Sequence, residues 1–318
     1  MSFLYYLLIL LILPFYSADF QVHSPRTFGY VLQAESLAPS RSQVVHKLRA
    51  SNRDWLIIDP SYNGRPDRAW SPGEIARMRS GKRNRKILAY LSIGEAESYR
   101  SYWQSSWDHN QDGKPDAEAP AFLEKQNEDW LGNYKVHYWD KEWQKIILKR
   151  LNRLLKRGFD GVYLDIVDAF EYYEYDAQND RYIDHRENPV TGHTYRQDMI
   201  RWIERIAAEA RKKRDPFLII PQNGAQLAGS SDYLQTISGQ AVEDLFTHGP
   251  EQQSSDHIEY VTSHLEKVRD KGKPVLLVEY PGNDLSTAVK KRCQEAGFTS
   301  LLVTDRSLDQ LGSSYSCR

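Results

Sequence analysis

The sequence predicts a (β/α)8 barrel on three observations. Eight short apolar runs recur along the chain. Amphipathic helical stretches separate them. The acidic residues that follow the runs fall at one place in the repeat. The runs are 28–33, 54–59, 86–94, 161–167, 217–224, 239–246, 274–280 and 298–305. Continuous apolar runs suit parallel strands covered on both faces. No glycine-rich phosphate loop follows the first run, which argues against a nucleotide-binding open sheet, the alternative α/β architecture.

The helices are predicted at 40–50, 71–81, 141–157, 192–214, 256–272 and 284–296, with a weak one at 225–238. Ser71 is a candidate N-cap ahead of Pro72, Gly81 lies past the end of that helix, and Gly297 closes the stretch beginning at Ser286. Two segments break the rhythm: 95–140 after the third strand and 168–191 after the fourth. Long loops at the C-terminal ends of barrel strands are where such folds build their sites.

The ends of the chain carry other signals. Phe3 to Leu13 is apolar, stops at Pro14 and is followed by the small residues Ser17 and Ala18. That pattern reads as a secretory signal over 1–18, although no Lys or Arg precedes it, and an uncleaved anchor is the alternative. The expected location is secreted or periplasmic, with one barrel domain over 24–318 and no membrane contact after cleavage. Two cysteines, Cys293 and Cys317, permit a disulfide in that compartment, two free thiols being the alternative. The net charge of −1 offers no electrostatic footprint for nucleic acid. The 8 Trp and 20 Tyr suit either the stacking of sugar rings or a core rich in large side chains.

The chemistry is concentrated at the strand ends. Asp59 closes the second strand, Glu95 follows the third, Asp165 and Asp168 close the fourth, and Asn223 closes the fifth. Glu243 and Asp244 lie at the sixth, Glu279 at the seventh and Asp305 at the eighth. In a barrel these positions converge on one mouth. Converging carboxylates raise one another's pKa and supply the acid pair that glycoside hydrolysis needs. Taken singly, Asp59 before Pro60 suits a turn, Asp305 a helix cap, and Asp168 and Glu279 ion pairs across the barrel top. Asp165 and Glu243, each preceded by apolar strand residues, are the pair that points to catalysis. Tyr163, two residues before Asp165, projects to the same side of its strand. No Gly-x-Ser-x-Gly elbow or clustered His set accompanies the acids, so a serine esterase or metal-dependent deacetylase is disfavoured.

Five blocks, "DWLIIDPSYNG", "ILAYLSIGEAESYRSYW", "WLGNYKVHYWDKEWQ", "GFDGVYLDIVDAFEYY" and "PQNG…AVEDLF", resemble the secreted glycoside hydrolase barrels related to endo-α-1,4-polygalactosaminidase. The resemblance spans nearly all of the chain after residue 24. It implies Asp165 as nucleophile, Glu243 as acid/base, and Asp59, Tyr62, Tyr90, Glu95, Asn223 and Glu279 as cleft positions. It further implies cleavage of an α-linked galactosamine-containing polysaccharide with no cofactor needed for catalysis. A cleft rimmed by Asp59, Glu95, Asp168, Glu243, Asp244 and Glu279 would attract a cationic amino-sugar polymer. A barrel that binds polysaccharide without cleaving it is the alternative.

A second candidate site lies in "WDHNQDGKPDAEAP", 107–120. Asp108, Asn110, Asp112 and Asp116 occupy positions one, three, five and nine of a calcium loop, with Gly113 at the turn. Position twelve is Ala119, and Glu118 comes one residue early, so a structural calcium site and a polar turn rich in Asp and Asn are both open. Among the aromatics, Trp143 suits packing on the barrel. Tyr138, Trp139, Phe170, Tyr172, Tyr173 and Tyr175 lie near the expected mouth.

Overall fold

The computed structural model describes residues 23–282 and 285–316. The proposed signal segment and Cys317, with the expected bridge from Cys317 to Cys293, lie outside these residues. All eight predicted strands form: β1 (Phe28–Val31), β2 (Trp55–Ile58), β3 (Lys86–Ser92), β4 (Gly161–Asp165), β5 (Leu218–Pro221), β6 (Gln240–Glu243), β7 (Val275–Glu279) and β8 (Thr299–Leu302). They pair in parallel and in chain order, β1 to β5 in one sheet and β6 to β8 in another. A parallel bridge between Gln222 and Ala241 links the two sheets.

Between β8 and β1 the expectation needs correction, because no ladder closes a barrel there among the described residues. An unforeseen antiparallel strand, Ser313–Ser316, occupies the free edge of β8. It takes the backbone groups that closure would use, and Ser314 Oγ accepts from the N–H of Phe28 at 2.9 Å. This segment caps the edge that a barrel closes by itself.

The strands sort their side chains by parity, as a period of two requires. One set forms an inner core: Phe28, Tyr30, Trp55, Ile57, Leu88, Tyr90, Tyr163, Leu218, Ile220, Ala241, Leu276, Val278, Tyr280 and Leu301. The alternate set, including Leu56, Ile58, Ile87, Ala89, Val162, Leu164, Ile219, Val242 and Leu277, packs outward against the helices. Both faces of each strand are therefore buried, which is why the runs read as continuously apolar.

The helices sit where expected: Arg41–Ala50, Pro72–Arg79, Lys141–Arg157, Tyr195–Arg211, the short Ser231–Thr236, Ser255–Asp270 and Ser286–Ala296. Ser71 and Glu74 form a reciprocal capping box around Pro72. Asp140 caps the helix 141–157, which ends at Gly158 with φ 87°. No helix among the described residues is long and apolar enough to cross a membrane.

The two long segments have structure of their own. After β3, Glu95–Glu97, Leu123–Gln126 and Asn133–Val136 form a three-stranded antiparallel sheet. After β4, a short helix at Phe170–Glu174 leads into a hairpin of Tyr175–Asp176 with Arg181–Tyr182.

Candidate active site

Strand parity aims Asp165 and Glu243 inward. Asp165 continues the inward row of Tyr163, and Glu243 continues that of Ala241. Both stay partly accessible at the C-terminal ends of their strands. Each accepts a hydrogen bond from a tyrosine on a neighbouring strand. The Tyr90 hydroxyl donates to Asp165 Oδ2 at 2.7 Å, and the Tyr280 hydroxyl donates to Glu243 Oε1 at 2.6 Å. Tyr30 and Tyr163, with ring centroids 4.8 Å apart, complete the floor. The Tyr163 hydroxyl is buried without a hydrogen-bond partner, within electrostatic reach of Glu243, Asp165 and Tyr280.

Neither acid has a cation at ion-pair distance, so desolvation dominates its titration. Burial pushes the Asp165 carboxyl up to about 6, while the bonds from Tyr90 and the Ile166 N–H oppose the rise. Burial pushes Glu243 up to about 8. The Tyr280 bond opposes that rise, and the negative charges of Asp165 and Asp244 add to it. Asp168 is driven up to about 8 by burial and by Glu171 and Asp165, and its Oδ2 accepts from Asn223 Nδ2 at 3.2 Å.

The backbone around these acids is unusual. The residue after Asp165, Ile166, has φ 56°, and the residue after Glu243, Asp244, has φ 52°. Asn223, at the end of β5 between them, has φ 59°. A left-handed β-branched residue such as Ile166 is an outlier that persists only where its surroundings impose it. Gly94 shows how closely the chain is packed: a Cβ there would lie 2.1 Å from the Ile166 carbonyl oxygen. Asn223 ties the two acid-bearing turns together. Its Oδ1 accepts from the Glu243 N–H at 3.1 Å while its Nδ2 holds Asp168.

The remaining acids are placed differently. Asp59 is buried and ion-paired to Arg100 at 2.7 Å, and Arg100 also binds Glu97 through two contacts of 2.7 and 2.8 Å. Burial opposes ionisation of Glu97, yet the Arg100 charge brings its carboxyl below the ordinary range. Glu95 is fully buried. Its Oε1 accepts from Asn127 at 2.9 Å and Tyr172 at 3.0 Å, its Oε2 has no partner, and burial raises its pKa. Asp244 pairs with Arg306, whose guanidinium lies 4.7 Å from the Tyr280 ring centroid.

Glu279 was expected at the cleft, and the structure corrects this. It shares the parity of Val275 and Leu277, so it points outward into the helix layer. There it accepts from the Phe246 and Thr247 N–H groups at 2.7 and 3.1 Å and from Thr247 Oγ1, bracing the turn after β6. Burial pushes its carboxyl up to about 7. The inward residue beside it is Tyr280, which sequence reasoning missed although its parity with Leu276 and Val278 signals it. Tyr62 also turns away, packing edge-on against Trp70 with centroids 5.7 Å apart. The exposed Asp305 accepts from Ser307 and caps no helix. Trp143 is fully buried and donates to the Ile93 carbonyl at 2.9 Å, a packing role.

In the loop 108–116, Asp108 accepts from the Asp112 and Gly113 N–H groups at 3.1 and 3.0 Å and from Tyr134 at 2.5 Å. Asn110 accepts from Asp112, Asp112 from Lys114, and Asp116 from His109. This is the geometry of a self-capped polar turn. Among the described residues no group of three or more His, Cys, Asp and Glu side chains is arranged to hold a metal ion.

Comparison with known proteins places this site in context. The glycoside-hydrolase family GH114 matches residues 67–318. An uncharacterized protein of Methanocaldococcus jannaschii is 35% identical over 282 residues, covering 85% of this chain and 75% of the relative. One of Deinococcus radiodurans is 32% identical over 283 residues, covering 88% and 81%. Among solved structures, the glycoside hydrolase domain of PelA from Pseudomonas aeruginosa superposes with a TM-score of 0.62 at 17% identity, over 91% of this chain and 98% of that one. Aspergillus fumigatus Ega3, solved in complex with galactosamine, gives 0.60 at 18% identity, over 95% and 98%. At these identities the two structures show likeness of fold. With the family match spanning most of the sequence, this chain belongs to glycoside-hydrolase family GH114.

Proposed function

We propose that the protein hydrolyses an α-linked galactosamine-containing polysaccharide, with Asp165 and Glu243 as the catalytic pair. The observation that carries this reading is the pair itself. Two inward carboxylates lie at the ends of β4 and β6, on either side of β5, with no cation at ion-pair distance, each held by a tyrosine hydroxyl and biased to a different protonation state. The galactosamine bound by the structurally similar Ega3 supports the substrate class.

Near neutrality Asp165 is ionised and Glu243 protonated. Tyr90 occupies one oxygen of Asp165, leaving Oδ1 to attack the anomeric carbon or to stabilise its positive charge. Tyr280 occupies Oε1 of Glu243, so Oε2 carries the proton to the glycosidic oxygen as the C–O bond breaks. Water then supplies hydroxide to the anomeric carbon and returns a proton to the acid/base residue. Tyr163 is fully buried, so its unpartnered hydroxyl lies beneath the two acids and not on the surface that a sugar would meet. The negative potential that would draw in a cationic polymer comes chiefly from Asp165, because burial raises Glu95 and Glu171 and holds Asp168, like Glu243, largely protonated near neutrality. Asp59 and Asp244 are offset by Arg100 and Arg306.

The test is product release from a partly deacetylated α-1,4-galactosamine-containing polymer, sized by mass spectrometry, for wild type and Asp165→Asn. Polymer binding by both is measured alongside. Oligosaccharides from wild type alone, with binding kept in the variant, are expected. Binding without release by either protein would instead indicate a non-catalytic polysaccharide-binding barrel.

A further inference from the structure

A second concave site lies in the outer layer of the fold, away from Asp165 and Glu243. It sits between the loop 60–69 and the helix Lys141–Arg157, has a volume of about 100 Å³, and is lined by Ser61, Arg100, Ser101, Arg150, Arg153 and Arg157 among others. The helix that forms one wall is strongly biased: it carries seven basic residues and a single acid, Glu142, in a protein of net charge −1. Arg150, Arg153 and Arg157 recur at i, i+3 and i+7, so the helical period stacks them on one face, and that face borders the pocket.

The charges in this pocket are unbalanced. Arg100 is matched by Asp59 and Glu97. Arg150, Arg153 and Arg157 form no ion pair among the described residues; Glu97, which feels the Arg150 charge, is bound by Arg100. Arg150 lies 5.1 Å from the Tyr102 ring centroid, which fixes its position, and it feels Glu97 electrostatically. Arg153 reaches Ser101 Oγ at 3.4 Å. Arg157 is half-buried, and burial followed by the charge of Arg153 lowers its pKa. Guanidinium groups gathered on one helix face, with no carboxylate at ion-pair distance, make a complementary environment for an anion. Their planar forks and the Ser101 hydroxyl, which accepts from Arg153 and keeps its own proton to donate, suit an oxygen-rich group, and the volume suits one such group.

We propose that this pocket is an oxyanion-binding site that takes a phosphate group, held by Arg150, Arg153 and Arg157 with Ser101; Ser61 on the opposite wall donates its hydroxyl to Asp59 at 2.7 Å. The site is independent of the hydrolytic reading, because none of these arginines touches Asp165 or Glu243.

Calorimetric titration of the purified protein with inorganic phosphate, against sodium chloride at matched ionic strength, tests the proposal. Single-site binding by wild type is expected, with a phosphate-dependent rise in Tm. In Arg153→Gln and in the double variant Arg153→Gln/Arg157→Gln, affinity should fall roughly tenfold or more, the loss expected for a charge-assisted hydrogen bond. Circular dichroism and hydrolytic rate should be unchanged. Arg153 is exposed, so the single variant keeps the test valid should the double variant fold poorly. A parallel titration with glucosamine 6-phosphate identifies the source. Tighter binding than inorganic phosphate assigns the site to phosphate esters, and equal binding assigns it to the free anion. No heat beyond the chloride control, or unchanged affinity in a folded Arg153→Gln variant, would overturn the proposal.

Discussion

Two groups of carboxylates near the C-terminal strand ends, Asp59 and Glu97 buried fully and Asp165 and Glu243 in part, are treated in opposite ways. Asp59 and Glu97 share Arg100, a buried cation bound at 2.7 Å on each side. Asp165 and Glu243 have only tyrosine hydroxyls. A fully matched buried charge network is costly to break but chemically inert. An unmatched buried carboxylate stays titratable near neutrality, and the fold is less stable for holding it. The partner, together with the partial access to solvent, therefore separates the two groups. The predictions that follow try to separate the two groups.

The largest effect is expected at the unmatched pair. Glu243→Gln should lower kcat by roughly 10²–10⁴-fold, the range for loss of general acid catalysis. Asp165→Asn should cost at least as much. Both variants should fold, since each removes an ionisable group from a site that penalises its charge. The matched group should respond in stability instead. Arg100→Met leaves Asp59 and Glu97 buried without a cation and should destabilise by about 3–5 kcal/mol, seen as a large fall in Tm.

The pH profile of kcat/KM should be bell-shaped. Its acid limb falls near the value of about 6 set for Asp165 and its alkaline limb near the value of about 8 set for Glu243, as properties of the coupled pair. Removing the tyrosine hydroxyls sharpens the assignment. Each hydroxyl lowers the pKa of the acid it binds, so Tyr90→Phe should move the acid limb upward and Tyr280→Phe the alkaline limb upward. Shifts of roughly one unit would correspond to one hydrogen bond to a charged group. A limb moved by the other tyrosine would reverse the assignment.

A further effect is on the pH dependence of stability. Asp168 and Glu243 bind protons in the folded state up to about 8, whereas in the unfolded chain they release them near ordinary carboxylate values. Between roughly pH 4.5 and 8 the folded state therefore holds more protons, and stability should decline as pH rises through that window. Calorimetric Tm values across it check the sign, and the decline should be shallower in Glu243→Gln.

Much of this was legible in the sequence, for local reasons. The eight strands and their helices follow from apolar runs and capping signals that neighbouring residues carry. The inward orientation of Asp165 and Glu243 follows from alternation with Tyr163 and Ala241. The same rule applied to β7 separates Glu279 from Tyr280, so reading strand ends without parity misplaced Glu279. Other features depend on contacts between distant segments and left no local trace. The claim of Arg100 on Asp59, the bridge from Asn223 to both acid-bearing turns, and the antiparallel strand that takes the edge of β8 are of this kind. In the loop 108–116 the alternating Asp and Asn pattern fits a cation site and a self-capped turn equally, because both use the same oxygens.

The most direct test compares turnover per folded molecule for Glu243→Gln and Arg100→Met on the galactosamine-containing polymer, with Tm measured on the same samples. Glu243→Gln should keep or raise its Tm and lose turnover, while Arg100→Met should lose Tm and keep turnover within a few-fold. Undiminished turnover in Glu243→Gln would contradict the assignment of the unmatched carboxylates as the catalytic pair.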